Sequence, residues 1–478
     1  MSQSRPEPIA RHRTAISRND LSLPCRQALA DGLVDVGTSV LDYGSGRGQD
    51  TARLNDMGID AVGWDPHFNP NAPKDPADTV LLTYVLNVID HREERAAVLA
   101  DAWRLAKRAL VVSTRLSWEH RRVQGEEWAD GVVTSRNTFQ KLFQPDELRH
   151  DVETATATRC VAASAGTVYA FRSKTDRLAL ITRRVAPEFD WTGRTDALSV
   201  VSGLVGFAEL RGRAPALDEI PADQLEEIGG VTPNQIRQFI KKGADRTLVE
   251  AGARKTILNT LLILGMEVFT GRARFSELPS SIQHDIRFHF TSYKEACRRA
   301  DRLLLKLRDK QYVRGAMRNS PGKLTPSALY VHRRAVESMP VVLRLYEYCG
   351  SVAVGRPAQW SVLKLHHDQD MVSWLDYPDF DADPHPRLSS SYSVELKTLK
   401  ASYRSYEERA NRPLLHRKQE FLSPEDPDVP KYQRLTDAEI KAGLYANPSI
   451  IGTEAGWAAE LRRCGVVTRG HRLVKAKV

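Results

Sequence analysis

Cysteine is scarce and long apolar runs are absent in this chain of 478 residues. The five cysteines are scattered, and no two of them form the CxxC pair that marks a zinc knuckle or a redox motif. No run of 18 apolar residues occurs, and the polar first residues lack the apolar segment of a signal peptide. These absences argue against a disulfide-rich secreted protein and against a membrane protein. We therefore expect a cytoplasmic protein with buried free thiols and no membrane partner.

Charge is divided unevenly along the chain, whose formal net charge is +9. Residues 1–175 hold 22 Lys and Arg against 23 Asp and Glu, whereas residues 176–478 hold 47 against 37. A nearly neutral first part joined to a basic second part fits a catalytic module attached to one that contacts a polyanion such as DNA. The same excess also fits a merely basic protein, so both interpretations stay open.

The most informative segment is residues 40–48, with the sequence VLDYGSGRG. A short apolar run that ends in a carboxylate and a three-glycine turn predicts a parallel strand, a nucleotide-binding turn and a helix. Asp65 lies 17 residues beyond Gly48, about where an acid meets ribose hydroxyls. Asp42 discriminates among ligands, because a carboxylate there would repel a pyrophosphate and suit a cationic ligand such as S-adenosylmethionine (AdoMet). A strand turn of the same type without methyl chemistry is the alternative.

Short apolar runs alternate with helical stretches around this loop, which predicts an α/β protein with a Rossmann-like parallel sheet and right-handed crossovers. The predicted strands are residues 40–43, 61–64, 79–84 and 109–114, the helices are residues 47–57 and 92–106, and an antiparallel pair is residues 155–161 and 167–172. Residues 66–76 contain four prolines and are too few for a helix and a strand. One βα unit of the usual doubly wound sheet is therefore predicted to be missing.

The second half predicts a mainly helical α+β domain with a basic face. Arg298, Arg302 and Lys306 recur at helical spacing and form a stripe that can neutralise DNA phosphates. A solvated helix face is the alternative. Residues 425–430 are interpreted as a linker. The segment 375–386, rich in Asp, Pro and His, is interpreted as a rigid loop, and no metal site is predicted.

Residues 40–48 resemble the first motif of class I AdoMet-dependent methyltransferases. The wider chain resembles the methyltransferase family associated with DNA phosphorothioation gene clusters. The segments that carry this second resemblance are residues 13–18, 41–48, 63–66, 84–89, 138–141, 328–332, 377–381 and 383–386.

The resemblance implies an AdoMet site with an assigned set of residues. The AdoMet loop would comprise Asp42, Gly44, Ser45, Gly46 and Gly48, with Asp65 on the ribose and Asp78 and Tyr84 lining the adenine or methionine side. Ser45 departs from the family pattern, which has a cysteine there. Because the residue is still small, the turn is retained.

The methyl acceptor has no decisive motif. Enzymes that methylate amino groups in DNA show a [DNS]PP[YFW] tetrapeptide after the fourth strand, and residues 84–87 (YVLN) lack its prolines. Phe139 and Lys141 are candidates for stacking on a base and meeting a phosphate. The alternative is a helix that begins at a Thr138 cap. No catalytic residue is assigned.

The predicted organisation has four parts. They are a basic lead-in and helix (1–37), an AdoMet-binding domain (38–175), a mainly helical domain (176–424) and a basic extension (425–478). The leading hypothesis is an AdoMet-dependent methyltransferase acting on or near DNA, together with proteins of a phosphorothioation system. The alternatives are a non-catalytic DNA- or complex-binding protein that keeps the AdoMet fold as a sensor or scaffold, and an RNA or small-molecule methyltransferase.

Overall fold

The computed structural model describes residues 9–186 and 188–476. The first eight residues of the predicted lead-in and the last two of the predicted extension lie outside the described residues. The strands of the first domain are β1 (Ser39–Tyr43), β2 (Asp60–Trp64), β3 (Ala77–Thr83), β4 (Ala106–Ser113), β5 (Gly125–Trp128), β6 (Gly131–Thr134), β7 (Phe139–Gln140), β8 (Val161–Ser164) and β9 (Thr167–Phe171). Its helices are α1 (Leu23–Ala30), α2 (Gln49–Asp56), α3 (Arg92–Leu105) and α4 (Pro145–Thr156).

The first domain is built on a six-stranded sheet in the order β2-β1-β3-β4-β9-β8. The strands β1 to β4 are parallel, and β9 pairs antiparallel with both β4 and β8. Helices connect the parallel strands except between β2 and β3, where residues 65–76 form turns and irregular chain. Compared with the doubly wound order 3-2-1-4-5-6, the strand beyond β2 is missing. The predicted Rossmann-like α/β class and the predicted loss of one βα unit are confirmed.

The predicted antiparallel pair at the edge of this sheet is partly wrong. Residues 155–161 do not form a strand, because Thr156 ends α4 and the first arm of the pair is β8. Pro145 at the first turn of α4 is followed by Asp146 and Glu147, which favour a helix start. These signals outweigh the strand-like alternation of Thr and Ala at the end of the segment.

The second domain combines a helical layer with an antiparallel sheet. Its helices are α5 (Lys174–Val185), α6 (Ala197–Arg211), α7 (Ala222–Glu227), α8 (Pro233–Gly243), α9 (Arg246–Met266), α10 (Ser280–His289), α11 (Tyr293–Lys306), α12 (Lys310–Arg318) and α13 (Val341–Val354). Its strands are β10 (Lys323–Leu324), β11 (Ala328–His332), β12 (Val362–His366), β13 (Met371–Asp376), β14 (Ser390–Glu395) and β15 (Ala401–Ser405).

The six strands β10 to β15 form a meander in chain order, so the prediction of a mainly helical domain missed a complete sheet. Helix α13 is apolar on almost every side and packs between this sheet, the first domain and the other helices. In the described ranges, 9–186 and 188–476, no helix is both long and apolar enough to cross a bilayer.

The predicted linker at residues 425–430 is wrong. Asp426 and Asp428 each lie 3.1 Å from the Arg334 guanidinium, and Pro430 belongs to the first turn of a helix. The elements that follow are α14 (Val429–Lys441), α15 (Glu454–Arg463), β16 (Val466–Thr468) and β17 (Leu473–Lys475). Tyr432 joins a hydrophobic cluster with the loop after β13, so this region packs on the second domain instead of extending from it.

A close backbone contact joins the two domains. The Ala165 N–H, in the turn between β8 and β9, donates to the Arg356 carbonyl at 2.6 Å. Gly355 has a φ of 72°, and a Cβ on it would lie 2.4 Å from the Ser164 carbonyl oxygen. Only glycine therefore allows the two chains to approach this closely.

We expect Gly355→Ala to destabilise the protein by about 3 kcal/mol or more, because it combines the strain of a positive φ with a backbone clash. Gly443→Ala is the matched control, since Gly443 also has a positive φ of 74° but a Cβ on it would have no other atom within 4 Å. That control should cost about 1–2 kcal/mol. Thermal and urea unfolding measure the difference, and equal effects of the two substitutions would contradict the proposed role of this contact.

Candidate functional site

A cavity of about 1710 Å³ lies between the carboxyl ends of the parallel strands and the second domain. The first domain supplies the glycine loop and the residues that follow β2, β3 and β4. The lead-in segment around residues 11–18 supplies a second wall, and residues at the ends of β13, β14 and β15 supply a third. In open α/β sheets this edge is the usual place for a ligand.

The glycine loop needs its first two glycines for different reasons. Gly44 has a φ of 81°, and a Cβ on it would lie 2.5 Å from the Val85 side chain. Gly46 has a φ of 54°, and its Cβ would lie 3.3 Å from Ala15 of the lead-in. Ser45 also lines the cavity. The loop is therefore held closely between the chain after β3 and the lead-in.

Asp42 is a buried carboxylate beneath this loop, with only 3% of its surface exposed. Its one side-chain hydrogen bond within the described chain comes from the Thr51 hydroxyl at 3.2 Å. Burial and the neighbouring Asp50 carboxylate raise the pKa of Asp42 to about 7. Asp50 is itself buried in the first turn of α2 and accepts the Ser22 N–H at 2.9 Å. Two carboxylates thus occupy the place where a helix N-terminus would otherwise hold an anion.

Asp65 lines the cavity at the end of β2 and closes the glycine loop onto that strand. One carboxylate oxygen accepts the Gly46 N–H at 3.0 Å, and the other accepts the His67 and Phe68 N–H groups at 2.9 Å each. A carboxylate offers about four lone-pair sites, so this arrangement leaves about one for a ligand. If Asp65 accepts hydrogen bonds from two ribose hydroxyls, one of its three bonds from backbone N–H groups must therefore break.

Tyr84 directly follows β3 and lines the cavity with a φ of 59°. A bulky residue rarely adopts this left-handed conformation, which costs about 1–3 kcal/mol and concentrates at functional sites. The Arg18 guanidinium lies 5.4 Å from the centre of the Tyr84 ring. The tyrosine is thus placed between the glycine loop and the lead-in.

The lead-in segment, residues 9–20, contributes residues 11–16 and Arg18 to the lining of the cavity. The Arg11 guanidinium binds Asp90 at 2.7 Å and also pairs with Glu94. The His12 ring stacks on His67 with centroids 4.2 Å apart. Sequence reasoning gave this segment no role in the site, because its contacts join it to residues some 55 to 80 positions away.

Two of the predicted cofactor residues do not line the cavity. Asp78 lies at the amino end of β3, at the opposite edge of the sheet, so its assignment is wrong. Its carboxylate accepts the Ser39 N–H at 2.9 Å and the Ser39 hydroxyl at 2.8 Å. Gly48 is the residue immediately before α2, with a φ of 72°. Its role is to set the turn, whereas Asp42, Gly44, Ser45, Gly46, Asp65 and Tyr84 come together.

Phe139 and Lys141, the predicted acceptor residues after β4, fit neither of the earlier interpretations, which were contact with a base and a phosphate or a helix that begins at Thr138. Phe139 is fully buried in strand β7, so it is not available for stacking on a base and no helix begins at Thr138. Lys141 is also buried and pairs with Glu147 at 2.8 Å. Asn87 donates to the Lys141 carbonyl and accepts the Arg115 N–H at 2.9 Å. These polar groups hold the small three-stranded sheet of β5, β6 and β7 in place.

The predicted DNA stripe lies outside the cavity. Arg298, Arg302 and Lys306 are exposed on α11, and Leu303, Leu304 and Leu307 pack on the hydrophobic cluster below. Arg298 pairs with Glu295, and the Lys306 ammonium lies 5.1 Å from the Tyr312 ring centre. The stripe has the geometry that the sequence predicted, and it is separate from the cofactor residues.

The second domain adds a polar wall that sequence reasoning missed. Asp376 ends β13, Ser389 precedes β14, and Glu407 follows β15. Next to them Tyr403 stacks on Trp118 of the first domain, with centroids 5.1 Å apart and planes 15° apart. No local motif marks these residues, because the turns of a meander bring them together.

Comparison with known proteins gives structural matches alone. No protein-family model matches the chain, and no curated protein sequence matches it. The solved structures that are similar include magnesium protoporphyrin IX methyltransferase from Synechocystis PCC 6803 with bound SAH, at 18% identity, covering 34% of this chain and 93% of that chain with a TM-score of 0.23. Another is the 1,6-didemethyltoxoflavin-N1-methyltransferase of Burkholderia thailandensis, at 16% identity, 34% and 79% coverage and a TM-score of 0.23.

Asp42→Asn should stabilise the protein, and more so at pH 8 than at pH 5. The pKa of Asp42 is raised from 3.8 to about 7 in the folded state, so charging it there costs stability as pH rises from about 4 to 7. The full effect is on the order of 4 kcal/mol. Asparagine removes the charge and keeps an acceptor for Thr51.

Asp78→Asn is the matched control of opposite sign. Hydrogen bonds from the Ser39 backbone and hydroxyl lower the pKa of Asp78. Its contribution is therefore present above pH 3.8 and is lost as pH falls through the lowered pKa, so the substitution should destabilise at neutral pH. Thermal unfolding from pH 4 to 8 tests both, and a destabilised Asp42→Asn protein at pH 8 would contradict the account of Asp42.

Proposed function

We propose that the protein is an AdoMet-dependent methyltransferase. The observation that supports this most directly is the pair of buried carboxylates, Asp42 and Asp50, beneath the glycine loop. A dinucleotide would place its pyrophosphate against them, which like-charge repulsion opposes. A ligand with a cationic end relieves the cost of burying them. AdoMet, with its sulfonium and amino group, fits this charge pattern.

The residues present fit the remaining parts of such a ligand. The positive φ of Gly44 and Gly46 allows the ligand to approach the backbone, and Asp65 offers a lone pair to a ribose hydroxyl. Bound AdoMet would supply a methyl carried on its sulfonium sulfur, and the neutral thioether that remains after transfer is a good leaving group. The protein mainly has to position the acceptor and exclude water, and the lead-in across the glycine loop serves the second purpose.

Titration calorimetry with AdoMet tests this assignment. Wild type should bind, and Asp42→Asn should weaken binding about 10- to 100-fold, since a hydrogen bond to a charged group contributes about 1.5–3 kcal/mol. Asp65→Asn should also weaken binding. Asp78→Asn is the control and should bind like wild type, because Asp78 lies at the other edge of the sheet. Absence of AdoMet binding by the wild type would overturn the proposal.

We propose further that the methyl acceptor is DNA and that the protein acts in a DNA phosphorothioation system. The resemblance of the sequence to that family supports the system. The exposed, basic face of α11 supports contact with phosphates, because Arg302 and Lys306 recur there at helical spacing with Arg298, which also pairs with Glu295.

Replacing Arg298, Arg302 and Lys306 by glutamine should weaken DNA binding and lower the slope of log affinity against log salt by about 1 for each phosphate that is no longer neutralised. Replacing Arg92, Arg104 and Lys107, which are exposed on the first domain, is the charge-matched control. Fluorescence anisotropy with a labelled duplex and a labelled single strand measures both. Equally weakened binding by the two triple variants would show that the effect is general charge, and unchanged binding by the first would exclude the stripe.

A further inference from the structure

The wall that the second domain contributes to the cavity is acidic, although this domain is basic overall. Among the lining residues after position 350 there are three acids, Asp376, Glu407 and Glu408, and no Lys, Arg or His. The other polar members are Gln359, Ser389, Ser390, Tyr403 and Ser405. Such a wall repels phosphate and accepts hydrogen-bond donors.

Asp376 is the member of this wall with an unused carboxylate. It is only 8% exposed, it lines the cavity, and within the described chain its carboxylate has no hydrogen bond and no ion pair. The Ser389 N–H donates to the Asp376 carbonyl at 2.8 Å, and the Ser389 hydroxyl donates to Glu407 at 3.0 Å. Ser389 thus links the backbone at Asp376 to the Glu407 carboxylate.

The charges around Asp376 keep it available to accept a proton. Burial and the nearby Glu407 raise its pKa, Asp379 acts in the same direction, and the Arg333 guanidinium acts against them. A largely buried carboxylate that faces a cavity without a hydrogen-bond donor can be completed by a donor from a ligand.

Two acids that the first domain contributes to the cavity lining are already paired, Glu94 with Arg11 and Glu119 with Arg115. In DNA amino-methylating enzymes the segment after the central strand supplies the polar contact to the acceptor, and here that segment is residues 84–87. Its one amide, Asn87, donates to the Lys141 carbonyl and accepts the Arg115 N–H, so one amide N–H and one lone pair remain. The Asp376 carboxylate has no such partners and is the more available acceptor.

The ring of Tyr403, 37% exposed, lies on the same wall as Asp376 and is supported from behind by Trp118. A supported aromatic ring is a suitable surface for a planar heterocycle. Carboxyl groups on the same wall suit the amino edge of that heterocycle. Together these features describe a pocket for one base, with its phosphates kept outside.

We propose that Asp376 receives the exocyclic amino group of an adenine or cytosine base and takes its proton during methyl transfer. This inference rests on the proposed methyltransferase function. The amino nitrogen forms a bond to the methyl carbon as the carbon–sulfur bond breaks, and the bonding pair leaves on sulfur to give a neutral thioether. The proton lost by nitrogen goes to the Asp376 carboxylate and then to solvent. A base reaches such a pocket only when it is unstacked, so single-stranded or extruded bases are the substrates.

Binding of oligonucleotides to the full chain saturated with S-adenosylhomocysteine tests the recognition step. Wild type should bind single-stranded oligo-dA or oligo-dC at least 10-fold more tightly than oligo-dT, which has no exocyclic amino group. Asp376→Asn should remove this preference. Asp379→Asn is the matched control, because it removes a carboxylate three residues away that is exposed and outside the cavity. Ser389→Ala should reduce the preference partially.

Labelled AdoMet then tests the proton-accepting step. Wild type should transfer label to the preferred oligonucleotide with a rate that rises with pH as the Asp376 carboxyl loses its proton. Asp376→Glu should keep this dependence of rate on pH with a shifted midpoint. Asp376→Asn should lose at least 100-fold in rate while its AdoMet affinity, measured by calorimetry, stays within twofold of wild type. Equal behaviour of Asp376→Asn and Asp379→Asn, or a preference for oligo-dT, would overturn the inference. Failure of the wild type to bind AdoMet would instead overturn the proposed function.

Discussion

The close contact between Gly355 and Ser164 is the constraint on which the site depends. It fixes the start of the segment between α13 and β12 against the turn between β8 and β9, and the Ala165–Arg356 hydrogen bond reinforces this contact. Arg356 is held in turn by Glu347, a buried residue of α13. Because the turn between β8 and β9 borders the carboxyl ends of the parallel strands, this contact also places the wall of Asp376 opposite the glycine loop.

The cavity is lined by two buried carboxylates with few hydrogen-bond donors, Asp42 beneath the glycine loop and Asp376 on the wall of the second domain. Within that part of the chain Asp42 has a single hydroxyl donor, and Asp376 has no donor. Elsewhere the same fold pairs its buried acids well, as Asp285 does with Arg211 and Arg213. Uncompensated charge is therefore concentrated at the cavity, where stability is given up for binding. A cationic ligand beside Asp42 and an amino donor beside Asp376 would complete both groups.

Sequence reasoning succeeded where the signal is local. The glycine loop, Asp42 and the missing βα unit follow from adjacent residues, because a turn, a strand end and a run of prolines are decided within a few positions. It failed where partners are distant. Asp78 has the residue type of a ligand-binding acid but lies at the wrong end of its strand, and the wall of Asp376 and Glu407 exists only after a meander folds. The supposed linker contains acids whose partner, Arg334, lies about 90 positions earlier.

If the methyl acceptor is DNA, as we propose, the division of charge between surface and cavity separates contact with phosphates from contact with a base. The basic face of α11 lies outside the cavity, where it can meet phosphates without regard to sequence. On the same proposal, the acidic wall inside would repel the phosphate backbone and accept the amino edge of a base. A stacked duplex presents phosphates and bases together and so satisfies neither surface fully. A strand whose base leaves the stack satisfies both at once, which makes the unstacking of one base the step that a two-domain site of this kind has to favour.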